Sequence, residues 1–258
     1  GQFTEIKGSF NNLKHIEFID QNPIGRSSRS NPVTYIKAYD DIRNLFSNQK
    51  LAKIRNYKPK HFSFNVEGGR CEVCKGDGEV TIEMQFMADV HLECDACNGK
   101  RLTSTIDDAV AFFTENEQTK IVQKLKPLQD VGLGYVQLGQ SSSTLSGGEA
   151  QRIKLASFLV KGNTKDKALF IFDEPTTGLH FHDIKKLLAS FNALIEKGHS
   201  IIVIEHNIEL IKCADYIIDL GLEGGKNGGN LLFQGTPEEL ILDKKSYTSK
   251  YLKEKLVF

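Results

Sequence analysis

Ala168-Leu-Phe-Ile-Phe-Asp-Glu-Pro-Thr-Thr-Gly178 runs from five consecutive apolar residues into two acids and a turn. An unbroken apolar run of that length predicts a strand buried on both faces of a parallel sheet. Ligands of open α/β sheets bind beyond the carboxyl ends of strands, so Asp173 and Glu174 stand where chemistry is done. Downstream, Ile184, Leu187, Leu188, Phe191, Leu194 and Ile195 recur at spacings of three and four and predict a helix with one apolar stripe. A second apolar run, Ile201-Ile-Val-Ile204, predicts another buried strand. Residues 168–204 therefore read as a βαβ unit with a right-handed crossover, and the fold class as α/β. The second strand ends in Glu205-His206, so His206 is expected beside Glu174 on one sheet edge.

Working outward, the C-terminal side shows a short helix near 207–214 carrying Cys213, which is expected in the core. A strand at 216–220, a glycine-rich turn at 224–229 and the apolar Leu231-Leu-Phe233 follow. Thr236-Pro-Glu-Glu239 then opens a last helix with a capping box and proline in its first turn. On the N-terminal side, Leu145-Ser-Gly-Gly-Glu149 leads into an apolar-periodic segment. Ser146 and Glu149 have capping-box spacing, and Gly147 and Gly148 leave N–H groups uncovered where the helix dipole favours an anion. That is either a phosphate cradle or simply a well-capped helix. Further upstream, a strand-like run at 15–20 ends at Gln21, and residues 26–140 are basic at first, cysteine-bearing and irregular.

The composition, 40% hydrophobic and 26% charged over 258 residues, suits one or two domains with real cores. Lys plus Arg equals Asp plus Glu at 33 each, so net charge neither favours nor excludes nucleic acid. The distribution is lopsided, with eleven Lys/Arg against four acids in residues 26–75. Within it, Lys53, Arg55, Lys58 and Lys60 occur in ten residues free of acids. Phosphates attract such a patch, and Tyr57, Phe62 and Phe64 could pack against sugars or unstacked bases; a solvated basic loop beside core phenylalanines is the alternative. No apolar run approaches the roughly 18 residues of a membrane span, and the first residues show no signal-peptide core, so a cytoplasmic protein without a membrane partner is expected.

Four of the five cysteines form two pairs, Cys71-Glu-Val-Cys74 and Cys94-Asp-Ala-Cys97, each followed two positions later by a glycine, Gly76 and Gly99. A thiolate pair on a tight knuckle aims both sulfurs at one ion, and two knuckles make a closed tetrahedral zinc site of structural type. Four buried free cysteines are the alternative. Between the knuckles Val80, Ile82, Met84 and Phe86 alternate with Thr81, Glu83 and Gln85, predicting a strand with one buried face.

Glutamine after a strand, LSGGE, apolar-DEP and apolar-EH, in that order, resemble the ABC-type ATPases. The resemblance makes Gln21 the Q-loop, Leu145, Ser146, Gly147, Gly148 and Glu149 the signature, Leu169 to Glu174 the Walker B strand, Gly178-Leu-His180 the D-loop and His206 the switch histidine. Three further stretches are similar to the UvrA family nearly word for word: Asp20-Gln-Asn-Pro-Ile-Gly-Arg-Ser-Ser-Arg-Ser-Asn-Pro32, Phe62-Ser-Phe-Asn-Val-Glu-Gly-Gly-Arg-Cys71 and Asp173-Glu-Pro-Thr-Thr-Gly-Leu-His180. So is a four-cysteine module inserted between Q-loop and signature. The likeness covers essentially the whole chain.

That resemblance implies an ABC-type ATPase domain with an inserted zinc-binding module: residues 1–25 a remnant of the ATPase domain with the Q-loop, 26–140 the basic zinc module, 141–258 the ATPase core. It implies ATP with magnesium, held by Gln21, the signature residues and Asp173, with Glu174 and His206 catalytic, and zinc on the four cysteines. It also implies damage recognition in bacterial nucleotide excision repair, with damaged double-stranded DNA, UvrB and a second UvrA copy as partners. No G-x-x-x-x-G-K-[ST] occurs in the sequence, so the lysine and backbone cradle for the β- and γ-phosphates are absent from it. In the family that motif lies upstream, and a fragment without ATPase activity of its own is expected. The stretch after Lys100-Arg101 also looks shorter than its family counterpart. An ATPase of another DNA-processing or transport system is the rival reading, and a transporter subunit would lack the four-cysteine insertion.

Overall fold

The computed structural model describes residue 8 and residues 13–25, 29–84, 86–99, 102–160, 167–223 and 228–256. Gln85, Lys100, Arg101, residues 26–28, most of the stretch before residue 13 and residues 224–227 of the expected glycine-rich turn lie outside the described residues.

Three parallel strands form the central sheet: β1 (His15–Ile19), β4 (Ala168–Asp173) and β5 (Ser200–Ile204), in the order β1-β4-β5. Helix α7 (Phe181–Glu196) links the last two, giving the expected βαβ unit. It buries Ile184, Leu187, Phe191 and Leu194, whereas Ile195 at the end of the stripe is 44% exposed. The face of β4 bearing Ala168, Phe170 and Phe172 is buried, with Phe170 against Phe158 of α6 (Gly147–Val160) and Phe172 against Phe191 of α7. Burying a side chain of this size contributes about 1.5–3 kcal/mol.

Two expectations about this sheet are corrected. Strand β4 is not buried on both faces, since Leu169 and Ile171 are only partly covered, and β5 is not a buried strand, since Ile202 and Ile204 stay 49% and 47% exposed. Ile16 and Phe18 of β1 pair in register with Leu169 and Ile171, so the open apolar residues share one face. Among the described residues that face has no covering layer as helices cover the other.

The stretch expected to be irregular contains α1 (Pro32–Tyr35), α2 (Tyr39–Ser47), α3 (Lys50–Ile54), α4 (Ile106–Glu115) and α5 (Thr119–Asp130). Thr105 caps α4 by accepting from the Asp108 amide, and Ile106, Ala109, Val110 and Phe113 form its buried stripe. One buried cluster runs from Ile19 through Val33 and Ile42, through Leu125 and Leu138, to Ile153, Phe172 and Leu187. A separate antiparallel pair, β6 (Ile217–Gly221) and β7 (Asn230–Gly235), follows α8 (Ile208–Ile211). The Thr236–Glu239 capping box is present, but its helix α9 spans only Pro237–Leu240 and is not the last, because α10 (Tyr247–Lys253) follows. Cys213 is exposed, not core: it lies just beyond the four-residue α8, and its thiol donates to the Glu209 carbonyl. Among the described residues no helix is long and apolar enough to cross a membrane.

Candidate functional site

The carboxyl ends of β1, β4 and β5 converge on one edge of the sheet, because parallel strands in register must end together. Gln21 follows β1 and donates through Nε2 to the carbonyls of Asp173 (3.3 Å) and Glu174 (3.4 Å). His206 follows β5, and its Nε2 lies 3.5 Å from Glu174 Oε1, the neighbourhood expected from the sequence. Both side chains face solvent, Glu174 at 48% and His206 at 83% exposure. Glu174 has φ +45°, a left-handed conformation that is uncommon outside glycine and clusters at functional sites.

The signature residues cap α6 as their spacing predicts. The Ser146 amide donates to Glu149 Oε2 at 2.7 Å, and the Glu149 amide donates to Ser146 Oγ at 3.2 Å. Glu149 also accepts from the Tyr135 hydroxyl at 2.6 Å. Burial pushes Glu149 up, but the bonds from Tyr135 and Ser146 and the nearby Arg152 charge outweigh it and hold the carboxyl below the ordinary range. The two glycines have reasons for being glycine within the chain itself. A Cβ on Gly147 would sit 2.9 Å from Gln21, and one on Gly148 would sit 2.8 Å from the Thr177 carbonyl. A bulky residue at 147 would therefore strike Gln21 as well as any approaching anion, so it is no clean probe of anion binding. Leu145 packs against the core and anchors the loop.

Reasoning from sequence missed the residues that lock this edge together. Gln151, buried in α6, donates through Nε2 to the Ile19 carbonyl (2.7 Å) and to the Asp173 carbonyl (3.0 Å). Lys154, one helical turn on, pairs with the Asp20 carboxylate and donates to the Asp20 carbonyl at 3.1 Å. Their i,i+3 spacing behind LSGGE was the available signal. Arg152, between them, is 3% exposed, and its Nε and Nη1 find no hydrogen-bond partner among the described residues.

The four cysteines come together. The sulfurs of Cys71, Cys74, Cys94 and Cys97 all lie within 4.8 Å of one another. The glycines expected on the knuckles have φ +95° (Gly76) and +60° (Gly99), and a Cβ on Gly76 would fall 1.8 Å from the Phe64 carbonyl. The Gly78 amide donates to Cys74 Sγ at 3.2 Å. Backbone amides of Cys74 and Val73 draw the Cys71 thiol down to about 7, whereas burial and the neighbouring thiols push Cys97 up to about 12. Four thiols this close cannot all ionise without a cation among them, so the donor set fits a zinc ion.

Between the knuckles, β2 (Glu79–Ile82) and β3 (Val90–Glu93) form an antiparallel hairpin that is exposed along its whole length. The expected buried face at Val80, Ile82, Met84 and Phe86 is not there: Ile82 is 45% and Phe86 96% exposed. Two strands of four residues are too narrow to bury a face without a neighbouring layer, and none packs on them among the described residues.

Lys53 lies in α3, Arg55 caps it, and Lys58 and Lys60 flank Pro59 at a short 3-10 turn. All four are exposed and none forms an ion pair among the described residues. Tyr57 stacks on His61 with ring centres 5.3 Å apart. Phe64 packs on Tyr39 instead, and its backbone borders the first cysteine knuckle.

No protein-family model matches the chain. It is 52% identical to UvrABC system protein A from Clostridium perfringens over 274 aligned positions, covering 99% of this chain and 29% of that protein. UvrABC system protein A from Staphylococcus aureus strain COL gives 52% identity with 99% and 28% coverage. The chain belongs to the UvrA family. A crystal structure of UvrA2 from Deinococcus radiodurans superposes with a TM-score of 0.88 at 38% identity, covering 97% of this chain and 33% of that one. The fold is thus the α/β fold of UvrA. This chain spans under a third of the length of the curated UvrA relatives it matches. Their alignments run over 274 positions against 258 residues here, so these UvrA relatives carry residues that this chain lacks.

Proposed function

We propose that this chain is part of a DNA damage-recognition ATPase of bacterial nucleotide excision repair. The observation that carries the reading is the cluster of Gln21, Asp173, Glu174 and His206 at one sheet edge, combined with a four-cysteine module between the first of these and the signature. In this reading residues 1–25 and 141–258 belong to the ATPase domain and residues 26–140 form the zinc-bearing module. Asp173 would hold magnesium, directly or through water. Bound magnesium neutralises charge on the transferring phosphate. Glu174 accepts a proton from the attacking water, and His206 stands on the same side to orient it. Ser146, Gly147 and Gly148 meet the γ-phosphate of nucleotide held by an opposing ATPase half, where buried Arg152, beside Tyr135 and Glu149, adds positive charge behind the helix terminus.

The P-loop lysine and amides would come from outside these 258 residues. The apolar sheet face left uncovered among the described residues supports that division, because an ATPase core buries both faces of its sheet. By itself the chain is expected to bind ATP weakly and to hydrolyse none. The basic stretch and zinc module would contact distorted duplex through phosphates and shape rather than sequence, in the cytoplasm, with UvrB and a second UvrA copy as partners. In the full-length protein, Glu174→Gln should leave nucleotide affinity within about threefold while hydrolysis falls about 100-fold or more. Equal loss of binding and turnover, or robust turnover by the 258-residue chain alone, would overturn the assignment.

A further inference from the structure

We propose that Glu205 is a positioning residue whose carboxylate staples the turn after β4 to the turn after β5, and so sets the geometry of Glu174 and His206. The proposal rests on the hydrolytic reading of those two residues. Oε1 of Glu205 accepts from the Thr176 amide at 2.8 Å and from the Thr176 hydroxyl. Oε2 accepts from the His206 amide at 2.8 Å and the Asn207 amide at 3.0 Å. An ionised carboxylate offers about four lone-pair sites, and here two serve each turn.

The staple matters because the two side chains themselves are held by little packing, both being exposed among the described residues. Glu174 and His206 both project into solvent, so their 3.5 Å separation is inherited from the backbone and not from side-chain packing. Glu174 is held at φ +45°, and a sparsely populated conformation persists only where its surroundings over-determine it. Those surroundings are few. The Glu174 amide donates to the Ile204 carbonyl at 2.9 Å, the Glu174 carbonyl accepts from the Thr177 amide at 3.2 Å and from Gln21 Nε2 at 3.4 Å, and the buried Thr176 inside that turn is fixed by Glu205. On the other side, the same carboxylate fixes the amide of His206 itself. Asn207 then caps α8 by accepting from the Glu209 amide, which ties the switch turn to the next helix. The apolar-EH signal draws attention to the histidine; the structure gives the preceding glutamate the role of holding it.

Glutamine at this position keeps size but has one acceptor oxygen, so it can serve one turn and must turn its amide group toward donors on the other. Aspartate keeps the charge and is one methylene too short to span both. In the full-length protein, Glu205→Gln should lower kcat for ATP about 10- to 100-fold, the scale of a misplaced reacting group, with KM and nucleotide affinity held within about threefold. Thr176→Val, which removes only the hydroxyl donor, should give a smaller fall in the same direction. Amide exchange at Thr176, His206 and Asn207 should speed up in Glu205→Gln while Phe170 and Leu187 stay protected. Glu174→Gln and His206→Ala, run in parallel, separate the two ideas. If they abolish turnover while Glu205→Gln retains wild-type kcat, the staple proposal is wrong and the hydrolytic reading stands. If Glu205→Gln loses nucleotide affinity and global stability as much as kcat, Glu205 is structural only and the proposal is overturned. If Glu174→Gln and His206→Ala hydrolyse ATP normally, the hydrolytic reading falls and takes the role of Glu205 in turnover with it.

Discussion

The sheet edge and the cysteine module hold their chemistry in opposite ways. At the sheet edge, three strands, α6 and α7 converge over Phe170, Phe172 and Leu187, and buried groups such as Gln151 lock the strand ends to the helix. The cysteine hairpin at 71–99 has no comparable core among the described residues: β2 and β3 are exposed on both faces, and what brings its ends together is four sulfurs. Positions fixed by packing tolerate exposed polar side chains, because the backbone beneath them is rigid. Positions fixed by a metal need no core, at the cost of depending on one ion.

The largest expected effect breaks the comparison at its metal side. Structural zinc contributes on the order of 10 kcal/mol or more in small zinc modules, and in the zinc reading that would be the folding energy of the hairpin at 71–99. The chain should carry about one zinc per molecule, and Cys71→Ser or chelation should release it. Amides of residues 71–99 should then exchange freely while those of β4, α7 and β5 remain protected, as read by hydrogen exchange. A hairpin that stays protected without metal would show that packing holds it after all.

Next in size is the core. Phe172→Ala should cost about 3–5 kcal/mol in denaturant unfolding, since the ring is 1% exposed and packs on Phe191. Ile82→Ala in the hairpin should cost less than about 0.5 kcal/mol. Similar costs at the two positions would mean the hairpin is covered in solution.

The basic stretch sharpens the comparison functionally. Alanine at Lys53, Arg55, Lys58 and Lys60 together should weaken duplex binding by the full-length protein and flatten its log–log salt dependence by up to about 3 to 4, roughly one for each phosphate that is no longer neutralised. An unchanged slope would leave these lysines and arginine as a solvated face. Cys71→Ser should in addition alter the preference for damaged over intact duplex if the knuckle at Gly76 orients the backbone of Phe64 and the basic turn before it.

The smallest effect concerns Tyr135 and Glu149. Glu149 titrates below its ordinary 4.5, so its stabilisation is complete above that pH and is lost as pH falls through the lowered value. Tyr135 is pushed up to about 12 by burial and by Glu149, so its stabilisation is complete below 10 and is lost as pH rises through about 12. Tyr135→Phe should lower the melting temperature most near neutral pH, by the equivalent of roughly 1 kcal/mol, and the two proteins should converge at both extremes. A difference independent of pH would assign the loss to packing.

Residue identity and spacing were enough to pick out the local conformations and donor atoms of both regions. Two Cys-x-x-Cys knuckles with trailing glycines, a capping box at LSGGE, and apolar runs ending in Asp-Glu and Glu-His each specify a local conformation and a set of donor atoms, which neighbours in the chain decide. The α4 stripe at 106, 109, 110 and 113 is a local signal of the same kind, yet reading residues 26–140 as irregular passes over it. What lay beyond the sequence was whether an apolar side chain meets a neighbour. Alternation in Val80, Ile82, Met84 and Phe86 and the unbroken runs of β4 and β5 report a preference for burial, but only the placement of other layers satisfies it, and among the described residues it leaves one sheet face and the hairpin open. The same holds for Cys213, left exposed beyond a helix of one turn. Long-range hydrogen bonds are the other class: Gln151 to Ile19 and Asp173, and Glu205 to Thr176, join residues 22 to 132 positions apart, and no local rule pairs atoms that only the folded chain brings within 3 Å.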